Sequence, residues 1–207
     1  MFPELARDDV FCIETRRLWL RWPRMADAEA VVKYAGEKAV AEMTARIPHP
    51  MTRDHAVAFI LGARQANAEG EALSLAIAPR NRPNDLIGVV SIMRNRPTET
   101  ALGYWLAIPF WGQGLATEAA QALVDITFDI TRTPTLNATV VPLNGASRRV
   151  LEKCGFAFAG AGMHDAPARG GAQPVDHFRL DRSTWRSLKG WRDPRFQHAD
   201  QMQMAAS

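Results

Sequence analysis

The aromatic run Leu102-Gly103-Tyr104-Trp105-Leu106 leads into the turn Gly112-Gln113-Gly114, which opens at once into the helix-forming stretch Leu115-Ala116-Thr117-Glu118-Ala119-Ala120. A strand, a glycine-spaced turn and a helix in direct succession constrain the fold more than any other part of the chain. Glycines at 112 and 114 carry no Cβ, so a bound group can approach the backbone closely. The helix leaves its first N–H groups unpaired, and its macrodipole favours negative charge at that end. Amides converging on a helix start form an anion cradle suited to a phosphate or pyrophosphate. The same spacing also serves a tight strand-to-helix turn that binds nothing.

Two common phosphate loops are excluded. A Walker loop needs Lys and then Ser or Thr after its last glycine, where this chain has Leu115-Ala116. A dinucleotide fingerprint needs a third glycine and an acidic partner about 20 residues on. Thr117 stands in the third glycine's place, and the motif lies mid-chain. A second segment adds to the first. Asn144 is a good N-cap and Gly155 a good terminator, and between them Val150, Leu151 and Cys154 form the apolar side of a helix. Arg148, Arg149, Glu152 and Lys153 fall mostly on its solvated side.

Together these segments resemble motifs of the GNAT superfamily of acetyl-CoA-dependent N-acetyltransferases. They are most similar to its Rim-type branch, which contains the ribosomal-protein N-terminal acetyltransferases. The likeness begins at Glu14-Thr15-Arg16-Arg17-Leu18-Trp19-Leu20-Arg21, passes through residues 103–106, 111–119 and 144–156, and ends near Phe178-Arg179-Leu180. It implies an α/β GNAT fold: a mixed, mostly antiparallel sheet splayed between its fourth and fifth strands and flanked by helices. It also implies acetyl-CoA as co-substrate, with no metal. The backbone amides of Trp111, Gly112, Gln113, Gly114, Leu115 and Ala116 would hold the pyrophosphate, and the Thr117 hydroxyl would add a donor. Leu106, Ala107 and Ile108 would lie along the pantetheine and thioester, with the pantetheine pairing like an extra strand. Trp111 stands where the family commonly carries Arg or Gln, a departure that a backbone cradle tolerates.

Making an amide from a thioester requires a polarised carbonyl, a deprotonated amine and a proton for the departing thiolate. A backbone N–H within residues 106–108 would serve the first need. Many GNAT enzymes protonate the thiolate with a Tyr whose position here is Leu151. The Rim-type likeness puts Ser147 in that role, although Ser147 would equally bond only the pantetheine or its own helix backbone. Asn144 has two compatible roles, helix cap and coenzyme contact. Glu99, Glu42 and His164 are the candidate bases; Ala101 stands where Rim-type sequences often carry Glu, and a water chain to a distant carboxylate would also serve. The expected function is transfer of the acetyl group to a primary amine, either a protein N-terminus or a small amine, by direct attack in a ternary complex. The alternative is a non-catalytic acyl-CoA-binding sensor, favoured by the missing Tyr and Glu, because a fold does not guarantee activity.

Composition fits this reading. The chain has 207 residues, 47% apolar and 23% charged, ordinary values for a globular protein with a substantial core. A single domain is expected over 1–184, followed by a tail over 185–207. No window approaches the ~18 apolar residues of a membrane span, and no basic segment followed by an apolar one opens the chain. A cytoplasmic protein without a membrane partner is therefore expected. Cys12 and Cys154 are isolated and read as reduced. The net charge of +3 is too mild to argue for nucleic-acid binding. Trp185, Trp191 and Phe196 leave both monomer and homodimer open.

Periodicity and punctuation give the element order. A strand is expected over 11–21, helices over 27–34, 38–43 and 52–67, and strands over 72–78, 85–94 and 99–107. A turn at 95–97 joins the last two of these strands. A helix over 114–129, a strand over 136–141 and the capped helix from 144 follow. The last strands are expected over 156–158 and 175–180, separated by a loop over 160–173. The acceptor pocket is expected between the early helices and that loop.

Overall fold

The stretch expected as one strand over 11–21 is in fact two. In the computed structural model, which describes residues 1–96 and 99–192, β1 (Cys12–Glu14) and β2 (Leu18–Arg21) form an antiparallel hairpin with Ile13 opposite Leu20. Thr15 closes it: its N–H donates to Leu18 O at 2.9 Å, and its Oγ1 accepts from the Leu18 N–H at 3.0 Å. Arg16 and Arg17 therefore lie in the turn between the two strands. The strands expected as fourth and fifth become β5 and β6.

The remaining elements are α1 (Ala28–Ala35), α2 (Lys38–Ala41), α3 (Arg53–Ala68), β3 (Ala72–Pro79), β4 (Gly88–Arg96), β5 (Glu99–Leu106), α4 (Leu115–Ile130), β6 (Thr135–Val140), α5 (Gly145–Lys153), β7 (Ala157–Ala166), β8 (Gly171–Asp181) and α6 (Arg182–Arg192). The eight strands form one sheet in the order β1-β2-β3-β4-β5-β6-β8-β7. Neighbours pair antiparallel except β5 and β6, which are parallel and share one bridge, Ala101 opposite Asn137. Beyond that bridge the two strands diverge, which is the expected splay. No helix among the described residues is long and apolar enough to cross a membrane.

Alternation along the strands divides the core in two. One sheet face carries Leu20, Leu75, Val90, Leu102, Ala138 and Phe178, packed against Leu123, Val124 and Phe128 of α4 and Leu151 of α5. The other carries Ala76, Val89 and the partly buried Trp105 against Val31 of α1 and Ile60 of α3. Thr52 caps α3 by accepting from the His55 N–H, as its place before an apolar-periodic run predicts. Asn67, fully buried near the end of α3, exchanges two hydrogen bonds with the backbone of Ser74 and so fixes the helix to β3.

One further expectation is corrected. Residues 160–173 are mostly strand, because β7 and β8 form a long hairpin with Gly162 opposite Val175 and His164 opposite Gln173. Its Gly- and Ala-rich sequence has little apolar alternation, and the ladder to β8 holds it in place. At the C-terminus, α6 crosses position 185. Trp185 lies in the core, stacked on Phe128 at 5.0 Å and donating its indole N–H to Asp125 Oδ1 at 2.6 Å. Phe196, the Trp191 side chain and the turn expected near Pro97 lie outside what is described.

Candidate active site

The cradle forms because two glycines adopt a left-handed backbone. Gly112 has φ +74° and Gly114 has φ +75°, and Gly114 is the N-cap of α4 with no side chain closing the helix start. A Cβ at Gly112 would meet nothing within 4 Å, so the space beside this cleft-lining residue is open. The N–H groups of the first turn of α4 thus face space that a phosphate could enter, and the residues present fit a pyrophosphate. A buttress from the other end of the chain sets the geometry of the loop. Arg17 donates through Nε to Glu118 Oε2 at 2.6 Å and through Nη1 to Gln113 O at 2.9 Å. Glu118 also accepts from Thr15 Oγ1 at 2.7 Å and from the Arg17 N–H at 2.8 Å. Burial pushes the Glu118 carboxyl upward, but the bonds from Thr15 and Arg17 and the guanidinium charge outweigh it and hold its pKa below the ordinary value. Its negative charge is thereby engaged away from the cradle.

A cleft of about 1560 Å³ runs from this loop through the opening between β5 and β6. Ordinary small-molecule pockets measure ~300–1,000 Å³, so there is room here for two reactants. Of the expected residues, the cleft brings together Leu106, Trp111, Gly112, Gly114, Leu115, Ala116, Thr117, Asn144 and Ser147. Ala107, Ile108 and Gln113 are not in its lining. The Ala107 N–H donates to Ile87 O at 2.8 Å, which occupies the amide that would otherwise point at a thioester oxygen. By strand alternation the backbone groups of Leu106 and Tyr104 then face the opening. Gln113 folds its side chain back onto Pro109 O at 3.0 Å. The Trp111 indole N–H caps Leu106 O at 2.6 Å, so the residue that departs from the family pattern closes the end of β5.

Asn144 is the N-cap of α5, its Oδ1 accepting from the Ser147 N–H at 3.0 Å. Ser147 has a partner that sequence reasoning missed. The Tyr104 hydroxyl lies 2.8 Å from Ser147 Oγ and 3.0 Å from Ser147 O. Burial raises the Tyr104 phenol well above its ordinary pKa, with the Ser147 bond opposing and Cys154 adding slightly. The strand alternation of Tyr104 and Trp105 was the available signal that one of them turns toward α5. Arg148, on the same helix, is occupied structurally: it bonds Glu152 at 3.1 Å and lies over the Phe158 and Phe178 rings.

Glu42, Glu99 and His164 all line the cleft. Glu42 pairs with Lys38 at 3.7 Å. Glu99 starts β5, before the Ala101 bridge and so before the strands separate. A further imidazole, missed in the sequence, also lines the cleft. His177 on β8 sits opposite Thr139 of β6. Its ring fits because Gly162 has no side chain; a Cβ there would lie 2.7 Å from His177 Nε2. The tip of the β7–β8 hairpin meets the end of α2 and the segment after it: Arg169 donates to Ala41 O at 2.7 Å, to Thr44 O at 3.2 Å and to Ile47 O, and the Ala168 N–H donates to Ala45 O at 3.1 Å. The early helices and the 160–173 segment therefore enclose one end of the cleft together.

Comparison with known proteins agrees with this geometry. An acetyltransferase (GNAT) domain model matches residues 17–157. Among curated relatives, the Bacillus subtilis protein YkkB, uncharacterized, is 35% identical over 46% of this chain and 57% of its own length. Probable N-acetyltransferase YjcK, from the same organism, is 40% identical over 34% of this chain and 41% of its own length. The chain thus spans about half the length of these two relatives. Solved structures of the same fold include RimL, a ribosomal-protein α-N acetyltransferase in complex with coenzyme A, with a TM-score of 0.69 and 21% identity over 83% of this chain and 98% of that one. With the domain match covering well over half of its residues, this chain belongs to the GNAT acetyltransferase family.

Proposed function

We propose that the protein is an N-acetyltransferase that moves the acetyl group of acetyl-CoA to a primary amine, a protein N-terminus or a small amine, by direct attack in a ternary complex. The observation that carries this reading is the single cleft through the β5–β6 opening, with the glycine cradle at one end and the hairpin-roofed chamber at the other. Such a channel lets two reactants meet from opposite sides of the sheet, so no acylated side chain is required. Bound acetyl-CoA would supply an activated acyl carbon and a thiol leaving group; the C–N bond forms as the C–S bond breaks, with the electron pair staying on sulfur.

The amides at the start of α4 hold the pyrophosphate, and the backbone of β5 facing the opening pairs with the pantetheine. Ser147 faces the sulfur. His177 takes the proton that the amine loses, since imidazole is the side chain best suited to proton transfer near neutral pH. The thiol gains one proton as the amine loses one. RimL, named for its action on a ribosomal-protein α-amine, supports an N-terminal acceptor.

The test is acetyl-dependent thiol release against a panel of N-terminal peptides, polyamines, aminoglycosides and amino acids. Acceptor-dependent release, lost in His177→Gln with acetyl-CoA binding retained, is expected. Coenzyme binding without release for any acceptor would favour the non-catalytic sensor. Absence of binding would remove both readings.

A further inference from the structure

Tyr104 and Ser147 come from different elements, β5 and α5, and meet at 2.8 Å inside the cleft wall. The phenol has one proton and two acceptors in reach, Ser147 Oγ and Ser147 O. The carbonyl lies in the first turn of α5, where the i+4 amide of the helix already satisfies it. The hydroxyl oxygen has no such partner. If the phenol donates to the carbonyl, Ser147 must turn its own O–H onto Tyr104 and away from the cleft. If the phenol donates to Oγ, the serine O–H is free to point outward. The placement of the Tyr104 proton therefore decides what Ser147 offers the cleft.

We propose that Tyr104 is a positioning residue whose phenol donates to Ser147 Oγ and so aims the serine O–H at the sulfur of a bound coenzyme A. This rests on the acetyltransferase reading and adds a second residue to the group that receives the leaving thiolate. Tyr104 gives up no proton in this role. Its upward-shifted phenol makes ionisation unfavourable, which keeps it a donor throughout the working pH range. The Asn144 cap holds the Ser147 backbone from the other side, so the serine rotor is the remaining freedom, and Tyr104 fixes it. The Tyr missing from α5 at Leu151 is thus replaced by a strand tyrosine acting through a serine.

The test needs no acceptor. The thiol of coenzyme A is titrated in its binary complex with the protein, using the ultraviolet absorbance of the thiolate. A hydrogen bond to a charged group is expected to lower the bound thiol's pKa by about one to two units relative to free coenzyme. Tyr104→Phe, which keeps the ring and its packing, should return most of that shift, and Ser147→Ala all of it. The double variant should match Ser147→Ala, since the tyrosine acts only through the serine. With a competent acceptor, Tyr104→Phe should lower kcat and leave the KM for acetyl-CoA unchanged. Tyr104→Phe titrating like wild type would overturn the proposal, as would additive effects of the two substitutions. If Ser147→Ala alone failed to move the thiol, the proposal would fall whether or not Tyr104→Phe folds. A wild-type protein that binds no coenzyme A would sink the acetyltransferase reading and this inference with it.

Discussion

Gly114→Ala tests whether the cradle depends on backbone conformation. At φ +75° the residue occupies the left-handed region, where an L-residue is disfavoured by about 1–2 kcal/mol. The added methyl brings no clash: its nearest neighbour is Arg17 Nη2 at 3.6 Å, an ordinary contact. The whole penalty is therefore conformational, and it must appear in one of two places. If the loop holds its shape, stability falls and the melting temperature drops by about 2–8 °C for a domain of this size. If the loop relaxes, the Arg17–Gln113 bond breaks, the helix-start amides turn away, and acetyl-CoA affinity falls roughly 5–30-fold. Scanning calorimetry and titration calorimetry on the same protein read both. Gly112→Ala, at φ +74° with open space around it, should behave alike. Gly62→Ala supplies the opposite sign, because Gly62 lies inside α3 with nothing within 4 Å, and alanine there should stabilise by about 0.4–1 kcal/mol. Gly114→Ala with unchanged melting and unchanged affinity would refute the reasoning.

Other perturbations separate the supports of the site. Glu118 has a folded pKa held below its ordinary 4.5, so its contribution is complete at neutral pH and lost as pH falls through the folded value; stability curves of wild type and Glu118→Gln should be apart at pH 7 and converge in acid. Arg169→Gln removes donors to Ala41, Thr44 and Ile47 and should raise the acceptor KM with acetyl-CoA affinity unchanged, measured by initial rates and titration calorimetry. We propose that the folded unit extends through α6: truncation after Thr184 deletes the buried Trp185 and should cost about 3–5 kcal/mol in denaturant unfolding, whereas wild-type stability would make the segment from 185 an independent tail.

The parts of this molecule that were legible in sequence are local. Gly112, Gly114 and the helix after them lie within a few residues of one another, as do Asn144 and the Ser147 amide that it caps, and neighbouring residue types determine such features. The parts that were not legible depend on which element crosses behind which. Tyr104 and Ser147 are 43 residues apart, and Thr15 reaches Glu118 across 103. Alternation places Tyr104 on one sheet face, but only the packed position of α5 puts a serine against its hydroxyl. The β1–β2 break was hidden because residues 11–21 alternate loosely enough to pass for one strand, and the odd step from Ile13 to Leu18, which a continuous strand would place on opposite faces, is a weak trace of the hairpin. The β7–β8 hairpin was hidden because Gly160, Gly162 and their alanine neighbours carry no apolar period, although a partner strand can order them. His177 escaped notice for the same reason: only the β8 register and the space over Gly162 bring it into the cleft.

One strand accounts for the way the site combines its tasks. Successive residues of β5 point to opposite faces of the sheet, so Tyr104 meets α5 while Trp105 packs toward α1 and α3. The backbone of the next residue, Leu106, faces the opening and is capped by Trp111. On the proposed function, the leaving-group end and the acceptor end of the cleft are thus set by adjacent positions on a single strand. A register slip of one residue between β4 and β5 would exchange the two aromatics and leave Ser147 without its partner. The close approach that holds this register depends on Gly88, opposite Leu106, where a Cβ would lie 2.5 Å from Trp105 O and 2.9 Å from Leu106 Cδ1. A larger residue there would force the strands apart without touching either reactant. The precision of the site therefore depends on strand register as much as on the side chains that face the chemistry.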